Sequence, residues 1–338
     1  MSMPRILGLA AVVMASSVYG ATAQESVAEF YKGKTVTTLI GFSAGGEYDL
    51  HGRIVSRFLG KHLPGNPTVV ASQMTGAGTV KLANYLYAVA PKDGTKLGVV
   101  SNGLPASQAI GTSGLQFDSR KFYWIGALGP TIETMAMWHT SKIMNVDDAK
   151  KREVIVGSTG KGSATFIMPT LMNEMMGTKF KLVTGYRGGA NINVAMEREE
   201  VQGRNNSWTS WKSTKPQWLA EKKIVIIAYA GPRTDELPGV PNLLDIARND
   251  DDKQVINVVN AGTALGRPLM TTPGVPADRV KALRDAYQAV TKDPEFVAVA
   301  KQSRIDLKPI RGEDMQKVVE DVFKTPAPLV ARAKAIME

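Results

Sequence analysis

At 338 residues the chain is long for one average domain and suits two of ordinary size, and its 43% hydrophobic content allows substantial cores. Its charge of +10 comes from 41 basic and 31 acidic residues that are scattered, with no basic run longer than Lys150-Lys151-Arg152; that excludes a nucleic-acid stripe and leaves a mild bias toward anionic partners. The absence of cysteine excludes disulfides and thiolate chemistry, and the three histidines, His51, His62 and His139, form no metal-ligand pair, so no metal or other cofactor is expected.

The chain opens with one basic residue in 1–5, an almost wholly apolar or small run over 6–20, and Ala21-Thr22-Ala23. This pattern predicts a signal peptide over 1–23, cleaved after Ala23. The apolar run, about 15 residues, is short of the ~20 that span a bilayer. The mature protein is therefore expected to be exported and soluble.

From residue 35 the pattern is strand, glycine-rich loop, helix. A β-branched strand is expected over 36–42, then the loop Gly41-Phe42-Ser43-Ala44-Gly45-Gly46, then a helix carrying Leu50, Ile54, Val55, Phe58 and Leu59 on one face, with Asp49 as its N-cap. A second unit follows, with strand 68–72, loop 75–78 and helix 80–89. The turn Pro91-Lys92-Asp93-Gly94 then leads into strand 96–100. The same grammar returns with strand 153–156, the loop Gly157-Ser158-Thr159-Gly160-Lys161-Gly162-Ser163 and helix 164–176, closed by Gly177. Pro169 would break a helix interior, which predicts a regular part starting near Thr165. Further strands are expected at 180–184 and 223–229, and a helix at 191–197. The last third reads as helical, with Val280, Leu283, Tyr287 and Val290 inward and Asp293-Pro294 as a cap followed by proline at the first helical position. The alternation predicts an α/β fold with largely parallel sheets. The methionines of 168–176 have helical spacing and read as core.

Gly41-Phe42-Ser43-Ala44-Gly45 matches the Gly-x-Ser-x-Gly elbow of a serine hydrolase. That fold requires a histidine late in the chain, and none follows residue 139. An exported hydrolase using Ser43 is therefore the weaker alternative. The 157–163 loop fits neither a Walker nor a dinucleotide pattern, having two residues instead of four before Gly160-Lys161 and Gly162 after it. Both loops do share a shape: a strand runs into glycines and then a helix, so unpaired backbone N–H groups and the positive helix end converge. Such an end holds carboxylate or phosphate. Two of them suggest one anion gripped from both sides.

Gly41 to Gly46 with Asp49, Gly76-Ala77-Gly78, Pro91 to Thr95, Gly157-Ser158 through Gly162-Ser163, Tyr186-Arg187-Gly188-Gly189, Leu237 to Pro241 and Pro273 to Pro276 occur in an order that resembles the Bug-type solute-binding receptors of tripartite tricarboxylate transporters. The resemblance covers essentially the whole mature chain. It implies a two-lobed, type II-like periplasmic binding protein with its ligand cleft between the lobes: 24–127 plus 227–338 as one lobe and 128–226 inserted as the other. It also implies a non-enzymatic, monomeric receptor that takes up a small organic acid and passes it to membrane permease subunits; a sensor signalling to a membrane partner is the other alternative. The ligand-facing candidates it implies are Ser43, Ala44, Gly45, Gly46, Tyr48 and Asp49 from the first loop, and Ser158, Thr159, Gly160, Gly162 and Ser163 from the second. Asp49 is expected mainly to organise its loop. Arg187 is the side-chain cation expected for a second ligand carboxylate. Two departures stand out. Glu47 sets a carboxylate beside an anion loop. The segment from Gly203 to Trp211 brings donors and rings, with Asn206 a ligand-facing candidate and Trp208 either stacking on ligand or packing the inserted lobe.

Overall fold

A computed structural model describes residues 25–337. The expected signal peptide and the cleavage after Ala23 lie outside the described residues. Among the described residues eleven strands, β1 (Thr35–Ile40), β2 (Thr68–Gln73), β3 (Lys96–Val99), β4 (Tyr123–Ala127), β5 (Glu133–Trp138), β6 (Val154–Gly157), β7 (Phe180–Val183), β8 (Gly203–Ser207), β9 (Ile224–Ala230), β10 (Leu269–Thr271) and β11 (Ile310–Arg311), form two sheets.

The first sheet has the order β11-β4-β10-β3-β1-β2 and the second β7-β6-β8-β5-β9. In the first, β1 is parallel to β2 and β3, and β10 runs antiparallel between β3 and β4. In the second, β6 is parallel to β7 and β8, and β5 runs antiparallel between β8 and β9. Both sheets therefore carry three parallel strands followed by one reversed strand, in the same order. This is the α/β, type II-like arrangement with two lobes. It is stabilised by helices on both faces of each sheet, since parallel strands need cover on both sides.

On the first sheet, the helices Glu47–His62, Ala277–Val290 and Pro294–Gln302 bury Phe58, Leu59, Leu283 and Phe296 against Ile40 and Leu97. Leu82, Leu86, Met315 and Val319 close its other face against Trp124 and Met270. On the second, Ala164–Met176 packs Met168, Leu171, Met172 and Met175 against Met135, Val154 and Val156, which confirms the methionines as core. Trp211 and Trp218 cover its opposite face beside Ala136, Ile192 and Ile224. Residue 226 falls inside β9, and the helices Asp250–Asn260 and Ala327–Met337 contribute Val255, Ile256, Val259, Ala333 and Met337 to the second core.

Two local expectations change, and one strand had no expectation. The helix expected to be capped by Asp49 is capped by Gly46 and begins at Glu47; Asp49 sits in its first turn, where its carboxylate accepts from Gly45 N–H at 3.1 Å. Helix Ala164–Met176 runs through Pro169, which is buried well inside it, so burial of the apolar face outweighs the one lost backbone bond. β8, the sequence Gly-Arg-Asn-Asn-Ser, is wholly buried although it carries no apolar signal. Helix Ala277–Val290 follows expectation, with Val280, Leu283, Tyr287 and Val290 buried.

Candidate functional site

The carboxyl ends of the parallel strands of both sheets open onto one cavity, with about 50 Å³ of room for the centres of water-sized spheres, lined among others by Phe42, Glu47, Tyr48, Thr159, Ser163, Asn193, Arg204, Asn206 and Arg267. Strand ends in open α/β sheets are where crevices form, because the loops diverge there. Three helices begin at this cavity: Glu47–His62 with cap Gly46, Ala164–Met176 with cap Ser163, and Gly189–Glu197 with cap Gly188. Gly46, Ala164, Gly189 and Ala190 all line it. Each helix start offers backbone N–H groups without intrahelical partners and about half a positive charge.

Four ionisable side chains are buried in the lining: Arg204 and Glu47 are each 4% exposed, Glu133 3% and Arg267 6%. Arg267 is saturated with negative partners, its Nε lying 2.6 Å from Glu47 Oε2 and its Nη1 2.9 Å from Glu133 Oε1. Its Nη1 also donates to Tyr48 Oη at 3.1 Å, and its guanidinium lies over the Tyr48 ring. Burial works against the charge of both members of the central pair. The mutual attraction prevails, holding Arg267 well above and Glu47 below their ordinary values.

Arg204 is placed differently. Its Nε donates to Asn205 O at 2.9 Å, its Nη1 to Gly189 O and to Asn193 Oδ1 at 3.0 Å, and its Nη2 to Asn206 Oδ1 at 2.7 Å. All four acceptors are neutral. Burial pushes Arg204 down to about 9, so at neutral pH it stays a cation with its charge uncompensated by a bonded carboxylate. Gly189 is needed for this placement, because a Cβ there would collide with the Arg204 guanidinium.

The first-loop candidates divide. Gly46 and Tyr48 line the cavity, whereas Ala44 and Gly45 are exposed and outside its lining, and Asp49 sits behind the loop, accepting from Gly45 N–H, Arg53 Nε and Gln73 Nε2. Ser43 reaches across to the other sheet's loops: its N–H donates to Arg187 O at 3.1 Å and its Oγ to Asn191 Oδ1 at 2.7 Å. Gly188 permits that crossing, since a Cβ on it would collide with Ser43 Oγ. Thr159 and Ser163 line the cavity, and their hydroxyls are linked to each other at 2.7 Å and to Thr165. Ser158, Gly160 and Gly162 stand behind them, and a Cβ on Gly78 would lie 3.2 Å from Gly160 O, so this loop packs directly on the 76–79 turn.

Arg187 is exposed and outside the lining, touching the other loop only through its carbonyl. Asn206 lines the cavity. Trp208 does not; its Nε1 donates to Glu236 Oε2 at 2.7 Å and it packs against the apolar cluster that includes Trp211 and Trp218. Glu47, an oddity in the sequence, is a central wall residue. Arg204, Arg267, Glu133, Asn193, Asn205 and Thr165 are lining residues that the sequence reading missed.

The hydrolase arrangement is not formed among the described residues. Ser43 Oγ bonds to an asparagine, and His51, buried on the helix after the loop, has neither ring nitrogen hydrogen-bonded. Burial pushes His51 down to about 4 against the pull of Glu47, 3.7 Å away, so it is neutral at pH 7. Unfolded histidine takes a proton near pH 6.5, and the folded one does so only near 4. Stability is therefore level above pH 6.5 and falls as pH drops toward 4, this residue removing about 3 kcal/mol in all. Urea midpoints measured from pH 7 to pH 4 are expected to fall less steeply in His51→Gln than in the parent; equal slopes would refute the assignment. Among the described residues no group of three or more His, Cys, Asp or Glu is placed to hold a metal.

No family model and no curated protein matches the sequence. Solved structures do match. The chain is similar to the periplasmic binding protein BugD, with 19% identity, 90% of this chain and 98% of that one covered, and a TM-score of 0.72. MatC of Rhodopseudomonas palustris, solved with malate, aligns over 90% of this chain and 99% of its own at 18% identity and a TM-score of 0.70. For R. palustris Rpa4515, solved with adipate, the figures are 89%, 97%, 18% and 0.69. The fold is thus that of the two-lobed periplasmic binding proteins, and its structural neighbours are of the Bug and TctC type.

Proposed function

We propose that the protein is a periplasmic solute-binding receptor of the Bug type, which captures a small organic carboxylate between two lobes and delivers it to the permease of a tripartite tricarboxylate-type transporter. The observation that carries this reading is the meeting of three helix starts and the cation of Arg204, which is hydrogen-bonded to no carboxylate, in one cavity. An anion there gains backbone donors and a guanidinium at once, and charge-assisted bonds contribute roughly 1.5–3 kcal/mol each. Three or four of them, less desolvation, leave the ~8 kcal/mol of a micromolar complex. The structural neighbours with malate and adipate support the ligand class.

The first crossover between the lobes is taken near residues 127/128, and the second, placed at 226/227 from the sequence, is moved beyond Ala230 so that β9 stays whole in the second sheet; the segment ending at Ala23 is taken to be removed on export. Gly46, Tyr48, Thr159, Ser163 and Asn206 then face the ligand, while Ser43, Ala44, Gly45, Asp49, Ser158, Gly160 and Gly162 shape the loops. Catalysis is not part of this function, and the receptor acts as a monomer. Thermal-shift titration of the mature protein with mono-, di- and tricarboxylates and aromatic acids is expected to yield stabilisation by at least one class. No shift with any of them sinks the receptor reading. Ser43→Ala is expected to keep affinity within about 10-fold, the cost of one cross-loop hydrogen bond at most; loss of ester or amide turnover by that variant would instead establish a hydrolase.

A further inference from the structure

The Gly76-Ala77-Gly78 motif does not line the cavity. With Thr79 it makes one left-handed turn between β2 and the helix Val80–Ala88, its φ angles running +150°, +47°, +61° and +79°. Such angles are unfavourable for any residue with a Cβ, and most of all for a β-branched threonine. The turn is nonetheless held firmly. Thr79 N–H donates to Gly76 O at 2.9 Å, and Thr79 Oγ1, on a wholly buried side chain, accepts from Ser101 N–H at 2.9 Å. A strained shape kept up by its surroundings points to a task for that shape.

The turn presents its backbone to the loop that follows β6 in the other sheet. A Cβ on Gly78 would lie 3.2 Å from Gly160 O, Gly162 C and Ser163 N, and one on Gly160 would lie 3.1 Å from Ala77 C and Gly78 N. The atoms in the way are main-chain atoms on both sides, so none can swing aside as the end of a side chain would. Among the described residues no backbone hydrogen bond joins the two segments, so they can part and meet again without breaking one. The contact of Ser43 with Arg187 and Asn191, by contrast, is hydrogen-bonded.

We propose that the left-handed turn 76–79 is the stop on which the two lobes seat as they close, with Gly78 and Gly160 as positioning residues. They touch no ligand and set how far the cavity shuts. This rests on the two-lobed receptor reading, because a stop serves only lobes that move. Dispersion attraction is short-ranged: a gap of about 0.5–1 Å forfeits a quarter to a half of each contact. A seat fitted backbone to backbone therefore favours one closed angle, and a methyl group at either glycine props the lobes away from it. Gly78 meets two needs at once, the left-handed φ and the close approach.

The chain has no cysteine, so a pair placed across the lobes reacts alone. A Cβ on Gly45 would lie 3.6 Å from Ala190 Cβ, inside the disulfide span of about 3.5–4.5 Å. In Gly45→Cys with Ala190→Cys, oxidised glutathione accepts the two electrons and two protons of the thiols, and the bond forms only while the lobes are closed. Thiol titration of the mature protein without ligand gives the rate. The strain of cysteine at φ +84° is common to every variant and cancels. Adding Gly78→Ala is expected to slow the reaction about 10-fold or more, the effect of overfilling a close-packed contact. Adding Gly33→Ala instead, at φ +70° with nothing within 4 Å, is expected to leave the rate within about twofold. Equal rates in these two variants overturn the proposal, as does a starting pair that never cross-links. Should Gly78→Ala not fold, Gly160→Ala obstructs the same contact from the other lobe and decides; failure of both to fold assigns these glycines to folding and overturns the stop. No ligand enters the measurement, so an acid panel without any thermal shift removes the carboxylate reading and leaves this outcome separate.

Discussion

Arg204→Ala is expected to remove measurable binding of whichever carboxylate gives the largest thermal shift, and Arg204→Lys to weaken it about 10- to 100-fold. Among the described residues the guanidinium is the one buried lining cation whose bonds all run to neutral groups, so it has charge to give to a ligand. Four of its five N–H groups are already bonded, which leaves one on Nη2 for the ligand; that charge-assisted bond, at roughly 1.5–3 kcal/mol, together with the loss of the order it imposes on Asn193, Asn206 and Gly189, reaches the ~2.7 kcal/mol that corresponds to 100-fold. Lysine keeps the charge but loses the planar fork that spans Asn193, Asn206 and Gly189. Calorimetric titration of the folded variants decides it. An affinity within about threefold of the parent for Arg204→Ala would show that the helix starts alone hold the anion.

Removing Arg267 is expected to damage the fold instead. Arg267→Met leaves Glu47 and Glu133 buried without their shared partner, and breaking such a pair costs about 3–5 kcal/mol. Urea unfolding at pH 7 should show that loss. The stranded carboxyls would then have folded pKa values above their unfolded ones, so their penalty grows as pH rises and shrinks as they are protonated. The single variant should accordingly lose less stability at pH 5 than at pH 7. The combination Glu47→Gln with Arg267→Met and Glu133→Gln removes the stranded charges and should recover most of the difference. Equal losses in the single and the triple variant would show that packing of the Arg267 stem over Tyr48, rather than charge, is what matters.

These two arginines also show where the sequence is opaque. The outer helices were legible because their apolar faces repeat at helical spacing, as with Val280, Leu283, Tyr287 and Val290. The strand-loop-helix units at 36–62 and 153–176 were legible because β-branched runs end in glycines. β8 was not, since a central strand made of Gly203, Arg204, Asn205, Asn206 and Ser207 gives no apolar signal; its burial depends on a hydrogen bond donated by Thr134 and on bonds that Arg204 donates to Gly189 and Asn193, all elsewhere in the chain. β5 contains Glu133 at the head of an otherwise apolar run, and Arg267 follows Gly266 with no motif around it. Glu47 was visibly out of place in the sequence. Its partners, Arg267 and Ser207, are 220 and 160 residues away, and only folding brings them together. Arg187 was attractive because it adjoins two glycines, but those glycines make room for Ser43 and for Arg204, and its own side chain is exposed.

In the helix Ala327–Met337, Ala333 and Met337 complete a core that already includes Ile110, Met135, Val154 and Phe180, so that core lacks part of its cover until that eleven-residue helix arrives. Synthesis delivers it after every other described element. A chain built this way completes its second core only with the last described helix.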